Sequence, residues 1–201
     1  MPTFTISEDL SLTTLELRHA EELFRLTDCN RAYLRRWLPW VDTIRIVEDT
    51  RGFIRAILAQ ARENNGFQAV IVSRCRVAGV VGHHQVDWRN RTTALGYWVG
   101  EEFQGHGLVT AACRRLVAHS FDVMGLNRVE IRCAVENHRS RAIPERLGFR
   151  LEGRFREAEW LYDHWVDHVV YARLATDRGA DRLQESVGLR AAWADPPKLA
   201  S

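Results

Sequence analysis

The sequence predicts a single α+β (mixed α/β) domain with a central mixed, mostly antiparallel sheet flanked by helices, and three observations carry that expectation. Segments with apolar residues at helical spacing alternate with Val-, Ile- and Thr-rich segments that read as strands. The chain has 201 residues, 46% of them hydrophobic, enough for one sizeable core and short for two. Three consecutive strand-like segments in the middle of the chain are joined by short turns, which gives an antiparallel meander.

After a short N-terminal strand, residues 19–30 carry Leu23, Phe24 and Leu26 among charged residues, an amphipathic helical pattern. Pro39 interrupts any helix in the aromatic stretch Y-L-R-R-W-L-P-W-V-D, residues 33–42. Asp49 is a suitable N-cap for a second helix with Phe53, Ile54, Ile57, Leu58 and Ala61 on one side, and Asn65-Gly66 ends it. Strands are expected over 67–73, 77–87 and 92–99, with 88–91 as a hairpin connection. A glycine turn at 104–108 opens a long helix bearing Val109, Ala112, Cys113, Leu116, Val117, Phe121 and Met124, and Gly125 fits its C′ position. A strand over 128–135, a short helix over 140–147 and strands over 149–157 and 164–174 complete the order β-α-α-β-β-β-α-β-α-β-β. The domain is therefore expected to span 1–175. Residues 176–201 are polar, close on Asp195-Pro196-Pro197 and read as an appendage or a disordered extension.

Composition removes several function classes. Lys plus Arg number 28 against 26 Asp plus Glu, a net charge of +2, so no nucleic-acid partner held by phosphate neutralisation is expected. Cys29, Cys75, Cys113 and Cys133 are far apart and suggest neither a disulfide framework nor a zinc site, and no bound metal is expected. No segment approaches the roughly 20 apolar residues of a membrane span, and no secretion signal opens the chain. A soluble, cytoplasmic protein with no membrane partner is expected.

The segment L-G-Y-W-V-G-E-E-F-Q-G-H-G-L-V-T-A-A puts a strand directly before a glycine turn and a long helix. Unpaired N–H groups at a helix start, together with the helix dipole, attract phosphate. Two glycines alone would serve equally well in a tight strand-to-helix turn. The sequence is neither G-x-x-x-x-G-K-[ST] nor G-x-G-x-x-G, which argues against ATPase and dinucleotide sites.

The stretch Gln104-Gly105-His106-Gly107-Leu108-Val109 resembles the pyrophosphate loop of the acyl-CoA N-acyltransferase (GNAT) superfamily, Q/R-x-x-G-x-G/A, with Val109 departing from the Gly or Ala of that pattern. Four segments in order, Y-L-R-R-W-L-P-W-V-D, A-L-G-Y-W-V, F-Q-G-H-G-L and E-N-H-R-S-R-A-I-P-E-R-L-G-F-R-L-E-G, extend the resemblance over about residues 15–174 and bring it closest to the RimJ/RimL branch of ribosomal-protein N-terminal acetyltransferases. That resemblance implies acetyl-CoA as acyl donor, bound by Gln104, Gly105, His106, Gly107, Leu108, Val109 and Thr110. It also implies that the strands ending at Val99 and near Val135 splay apart, with Val99 giving main-chain contacts to pantetheine and Asn137 a side-chain hydrogen bond. Asn137 could equally make an Asx-turn at the end of a strand.

Direct transfer needs a neutral amine, a base or water path for its proton and a donor for the leaving thiolate. Many superfamily members place a tyrosine acid where this chain has Pro144, and a glutamate base where it has Ala94. The RimL-like pattern implies Ser140 for thiolate protonation and Glu159 as base, with Trp160 able to desolvate Glu159 and Glu157 as the nearest substitute. Ser140 would also make an N-cap for the helix that holds Pro144 in its first turn. Glu159 could equally be an exposed carboxylate at a strand end. His83, His84, His106 and His119 are alternative bases or plain packing and surface residues, and Arg139 and Arg141 could meet CoA phosphates. Arg35, with Arg31 and Arg36 beside it, could attract an acidic acceptor, and Trp37 and Trp40 could wall its groove. The implied activity is acetyl transfer to the N-terminal α-amine of a protein or peptide such as a ribosomal protein, with a possible homodimer. Acylation of a small amine (an antibiotic or metabolite) and a catalytically silent acyl-CoA-binding protein are the alternatives.

Overall fold

A computed structural model describes residues 3–180. The elements are β1 (Thr3–Ser7), β2 (Leu10–Thr14), α1 (Ala20–Cys29), α2 (Arg31–Leu34), α3 (Val47–Arg62), β3 (Gln68–Ser73), β4 (Arg76–Asp87), β5 (Thr92–Val99), α4 (Leu108–Asp122), β6 (Arg128–Ala134), α5 (His138–Arg146), β7 (Arg150–Leu161) and β8 (His164–Leu174). They form one sheet in the order β1-β2-β3-β4-β5-β6-β8-β7. Among the described residues only β5 and β6 run parallel. The expected fold class and the β3–β4–β5 meander are what the chain adopts.

Side chains alternate across the sheet and fill a core on each face. Ala69, Ile71, Leu95 and Val129 pack with Ala112, Cys113, Leu116 and Val117 of α4, Ile143 of α5 and Leu147 just after it. On the opposite face Val70, Val77 and Val80 meet Leu23 and Leu26 of α1 and Ile54 and Ile57 of α3. The parallel ladder between β5 and β6 runs from Thr92↔Arg128 to Leu95↔Ile131 and stops. Beyond it β5 stays with β4 as far as Val99, and β6 stays with β8 as far as Ala134. The expected splay is therefore present and lies at the centre of the sheet.

Local chemistry corrects several boundaries. The N-terminus holds two strands, because L-S-L-T-T alternates inward and outward and pairs back on β1. Asp49 is not an N-cap: α3 starts at Val47, and the Asp49 carboxylate accepts the N–H groups of Arg45 (2.8 Å) and Ile46 (3.0 Å) from within the first turn. Helix α4 ends at Asp122, and Gly125 (φ 66°) then turns the chain so that the Leu126 N–H reaches the Ser120 carbonyl at 2.9 Å. Strand β7 runs to Leu161, four residues past its expected end, by way of an irregularity between Phe155 and Glu159. Ser140 is not an N-cap either. Asn137 caps α5 by accepting the Ser140 N–H at 3.1 Å, which puts Ser140 in the first turn and Pro144 two turns in.

The segment Leu147-Gly148-Phe149 closes α5 for a clear reason. Gly148 sits at φ 71°, where an L side chain is strained, and this lets the Phe149 N–H bond the Pro144 carbonyl at 3.0 Å while Phe149 enters the core. The ordered chain runs past residue 175: Asp177 accepts the Leu174 N–H at 2.9 Å. Residues 181–201, the bulk of the expected extension, lie outside the described residues. Among the described residues no helix is long and apolar enough to cross a membrane, and no group of His, Cys, Asp and Glu could hold a metal ion. The four cysteines are free, Cys29 and Cys75 exposed, Cys113 and Cys133 buried.

Two of the four histidines considered as bases belong to the core. His83 is fully buried, and its ring packs edge-on to Phe67 at 4.8 Å, with His119 on the same phenylalanine at 5.5 Å. Ser120 donates its hydroxyl to the Leu116 carbonyl (2.8 Å), so its oxygen must accept from His83 Nε2–H across 2.9 Å. That fixes the tautomer and leaves His83 Nδ1 buried with no hydrogen-bond partner, where a second proton would be uncompensated. Burial, reinforced by the neighbouring histidine, lowers the His83 pKa to about 3, and burial with the Arg115 charge lowers that of His119 to about 4. Both folded values lie below the unfolded value near 6.5, so the unfolded chain binds more protons as pH falls. The stability these rings contribute is whole above pH 6.5 and is lost between there and about 4 to 3. Each should cost about 1.4 kcal/mol per pH unit below 6.5. Urea midpoints at pH 7.5 and 5.0 should show a clear fall, and His83→Gln should flatten it.

Candidate active site

The loop before α4 is built to meet an anion. Gly105 and Gly107 sit at φ 75° and 73°, and neither would bring a Cβ within 4 Å of another atom, so they are required by backbone conformation and not by crowding. Gly107 is the N-cap residue, no side chain caps the helix, and the Ala111 N–H bonds the Gly107 carbonyl at 3.0 Å. The N–H groups of Leu108, Val109 and Thr110 thus point out of the helix start with no intrahelical acceptor. Gln104 accepts a hydrogen bond from Arg139, while its Nε2 is buried without a partner. His106 is exposed. Val109, where the superfamily pattern has a smaller residue, is half-buried against the core beside α4. An unsatisfied buried amide beside an uncapped helix start suits a diphosphate. Arg141 is committed elsewhere, to the Val135 carbonyl (2.8 Å) and the Tyr171 hydroxyl (3.2 Å).

At the splay lies a cleft of about 1010 Å³, lined by β4, β5 and β6, by α1 and α3, and by Asn137 and Ser140 at the start of α5. Its lining brings together Trp37, Trp40, Asn137, Ser140 and Glu159, five of the residues singled out in the sequence, along with Ala94. Val99 ends the arm of β5 that has left β6. The Asn137 side chain spends its Oδ1 on the α5 cap and makes no other hydrogen bond among the described residues, so its NH₂ group can serve a ligand. The Asx-type reading takes Oδ1 and leaves the amide nitrogen for the ligand reading.

Arg35 is outside the cleft. Its guanidinium pairs with Asp42 at 3.0 Å and stacks over the Tyr162 ring at 3.8 Å, and the Tyr162 hydroxyl donates to the Leu38 carbonyl at 2.7 Å. The residue read as a substrate contact therefore pins the tip of the β7–β8 hairpin to the Trp37–Trp40 segment.

Glu159 is in the body of β7, directly opposite Val166 and diagonal to His168, whose Nε2 lies 3.4 Å from its carboxylate. Trp160 does not desolvate it: the ring is on the other face of the strand, 49% exposed, edge-on to Trp165 at 5.1 Å. Glu157 sits at φ 49° in the β7 irregularity, gives its N–H to Asp167 at 2.7 Å and is not in the cleft. Of the histidines, only His84 and His168 line the cleft.

Ser140 meets groups that the sequence did not flag. Its hydroxyl donates to the Tyr97 hydroxyl at 3.2 Å, the Tyr97 hydroxyl donates to the Ser140 carbonyl at 3.0 Å, and Cys133 Sγ is 3.2 Å from Ser140 Oγ. Burial pushes both the Tyr97 phenol and the Cys133 thiol up, so both keep their protons near neutrality. A protonated Cys133 is a poor nucleophile, which favours direct transfer over an acyl-cysteine route. Tyr97, Trp98, Cys133 and His168 were missed because their role depends on strand register. The only local signal was A-L-G-Y-W-V, which marks the strand and not what its side chains face.

The comparisons with known proteins agree with this geometry. Residues 9–150 match the family model described as acetyltransferase (GNAT) domain. The chain is 36% identical over 182 residues to the putative ribosomal N-acetyltransferase YdaF of Bacillus subtilis (strain 168), covering 87% of this chain and 96% of that one. It is 30% identical over 172 residues to the ribosomal-protein-serine acetyltransferase of Escherichia coli (strain K12), covering 86% and 96%. Among solved structures, the ribosomal L7/L12 α-N-protein acetyltransferase RimL in complex with coenzyme A superposes with a TM-score of 0.83 at 28% identity, over 86% of this chain and 98% of that one. The microcin C7 self-immunity acetyltransferase MccE in complex with acetyl-CoA and AMP gives 0.80 at 30% identity, over 84% and 94%. With a family model matched over residues 9–150 and a relative 36% identical across most of both chains, this chain belongs to the GNAT acetyltransferase family.

Proposed function

We propose that the chain transfers an acetyl group from acetyl-CoA directly to the N-terminal α-amine of a protein or peptide, with a ribosomal protein as the leading acceptor. One observation carries this reading: a single cleft joins the arms of the splay to Ser140 and Glu159. The diphosphate would rest on the N–H groups of residues 105–110 with Gln104 beside it, and pantetheine would lie along the arm of β5 that ends at Val99, its amide met by Asn137. The thioester would then reach Ser140. The amine would enter from the Trp37–Trp40 side, where Glu159 lines the cleft. In the step itself the amine nitrogen bonds the thioester carbon, the C–S bond breaks, Glu159 takes the nitrogen proton and Ser140 gives one to the thiolate. Solvent exchange restores both residues. An α-amine, with a pKa of about 7.7 to 8.0, is partly neutral at pH 7, whereas a lysine near 10.4 is not.

A small aminoacyl acceptor is the second reading, favoured by the aromatic wall of Trp37, Trp40 and Trp98, with Trp40 and Trp98 at 5.7 Å, which would suit a planar group. A ribosomal-protein acceptor would place the reaction in the cytoplasm. A homodimer is supported by exposed Leu151, Phe155 and Trp165 along the β7–β8 edge. The domain that does this work is taken as residues 1–175, with 176–201 as an extension.

Isotopically labelled acetyl-CoA incubated with the enzyme and a whole-cell extract should label the protein fraction at N-termini; label confined to the metabolite fraction would favour the second reading, and none in either would leave a CoA-binding protein. Gly107→Trp should abolish CoA binding in calorimetry while leaving the unfolding free energy from urea titration within about 2 kcal/mol of the wild type, the cost of a side chain at positive φ. Unchanged affinity would reduce the loop to a turn. Glu159→Gln keeps the side-chain shape and removes proton acceptance, so kcat should fall by roughly 10²- to 10⁴-fold with acetyl-CoA affinity unchanged. The loss should shrink as pH rises and the free amine deprotonates unaided. Equal rates at pH 6.5 would remove Glu159 as the base.

A further inference from the structure

The group that Ser140 serves is set by the reading above, on which this inference rests; what holds Ser140 in place is a separate matter. In an α-helix the carbonyl of residue 140 accepts the N–H of residue 144. Residue 144 is proline, with no N–H to give, so α5 leaves the Ser140 carbonyl without its helical donor in a half-buried position. The donor that replaces it comes from another element. The Tyr97 hydroxyl, on the arm of β5 just beyond the last β5–β6 pair, crosses the splay and donates to that carbonyl at 3.0 Å. The same oxygen accepts the Ser140 hydroxyl at 3.2 Å, so one phenol holds both the backbone and the side chain of the serine.

We propose that Tyr97 is the positioning residue for Ser140, and that Pro144, by withholding the helical N–H, reserves the Ser140 carbonyl for it. The donor for the leaving thiolate is thus aimed from across the splay. Tyr97 keeps the carbonyl bond while the serine hydroxyl, a free rotor, swings from the phenol oxygen to the sulfur. Cys133, whose thiol must donate to Ser140 Oγ while the serine proton is on Tyr97, gives that oxygen a further hydrogen bond and supports the same orientation. The Tyr97 ring itself packs on the α4–α5 core, so its hydroxyl arrives with little freedom to lose.

The test is a set of variants of the full chain assayed with one verified acceptor. Tyr97→Phe removes one oxygen and should lower kcat by about 10- to 100-fold with the KM for acetyl-CoA unchanged, the scale of a misaimed reacting group. In a Ser140→Ala background, which should itself be slow, Tyr97→Phe should cost nothing more. Tyr97→Phe/Pro144→Ala restores a helical N–H to the orphaned carbonyl, so its urea midpoint should return towards the wild type while kcat stays low. That double variant carries the kinetic comparison should Tyr97→Phe alone not fold. A slow Ser140→Ala beside a wild-type rate for Tyr97→Phe would overturn the positioning role and leave Ser140 standing. So would the same Tyr97→Phe loss with and without Ser140, or recovery of kcat on adding Pro144→Ala, since a merely structural tyrosine would be rescued by the restored helix bond. A wild-type rate for Ser140→Ala would instead remove the role of Ser140, and this inference with it.

Discussion

Everything in the site depends on the divergence of β5 and β6 after Leu95 and Ile131. A parallel pair that continued to Val99 and Ala134 would close the sheet, and the two cores would be separated by an unbroken wall. Because each strand keeps its other neighbour, β4 for β5 and β8 for β6, the gap opens without loosening either arm. Backbone groups left without a ladder are tolerated only where water or a ligand can reach them. The opening is therefore both a structural cost and the reason a linear thioester could be gripped through main-chain atoms, which read shape and not sequence.

The chain divides its labour between the two faces of the sheet. On the α4–α5 face stand the uncapped helix start, Asn137, Ser140, Tyr97 and Cys133; on the α1–α3 face stand Trp40, His84, Glu159 and His168. On the proposed mechanism, proton removal from an acceptor and proton return to a leaving group fall on opposite sides of one sheet, and the gap is where they would meet. Placing the two groups on rigid strands and a capped helix end holds their separation fixed, which loops could not do as well.

Much of this was legible in the sequence, where local chemistry fixes local structure. The glycine turn before α4, the Asn137 region and the Leu147-Gly148-Phe149 stop each draw their meaning from backbone rules that act within a few residues, and the meander follows from short turns between alternating strands. What stayed hidden depends on register. Tyr97 and Ser140 are 43 residues apart, and only the pairing of β5, β6 and α5 brings their hydroxyls together. For Arg35 the sequence shows a cation beside tryptophans, and nothing local reveals that Tyr162, from the far end of the chain, lies beneath it. Asp49 and Ser140 were each assigned as caps from residue type alone, and in both cases the helix starts about three residues earlier, so that the side chain works from inside the first turn.

The tie between Tyr162 and Leu38 has a consequence for how such a protein can diversify. On the proposed reading, the walls on the amine side come from residues 37–40 and from the β7–β8 hairpin, while the donor side comes from α4, α5 and the splay. Sequence drift in the first pair of segments can reshape what enters without disturbing the half that handles the thioester. Because the hairpin and the tryptophan segment are latched together through Arg35, Tyr162 and the Leu38 carbonyl, they would have to change in concert. A lineage acquiring a new acceptor is then expected to carry coupled substitutions across some 120 residues of chain, with the latch as the hinge between old and new specificity.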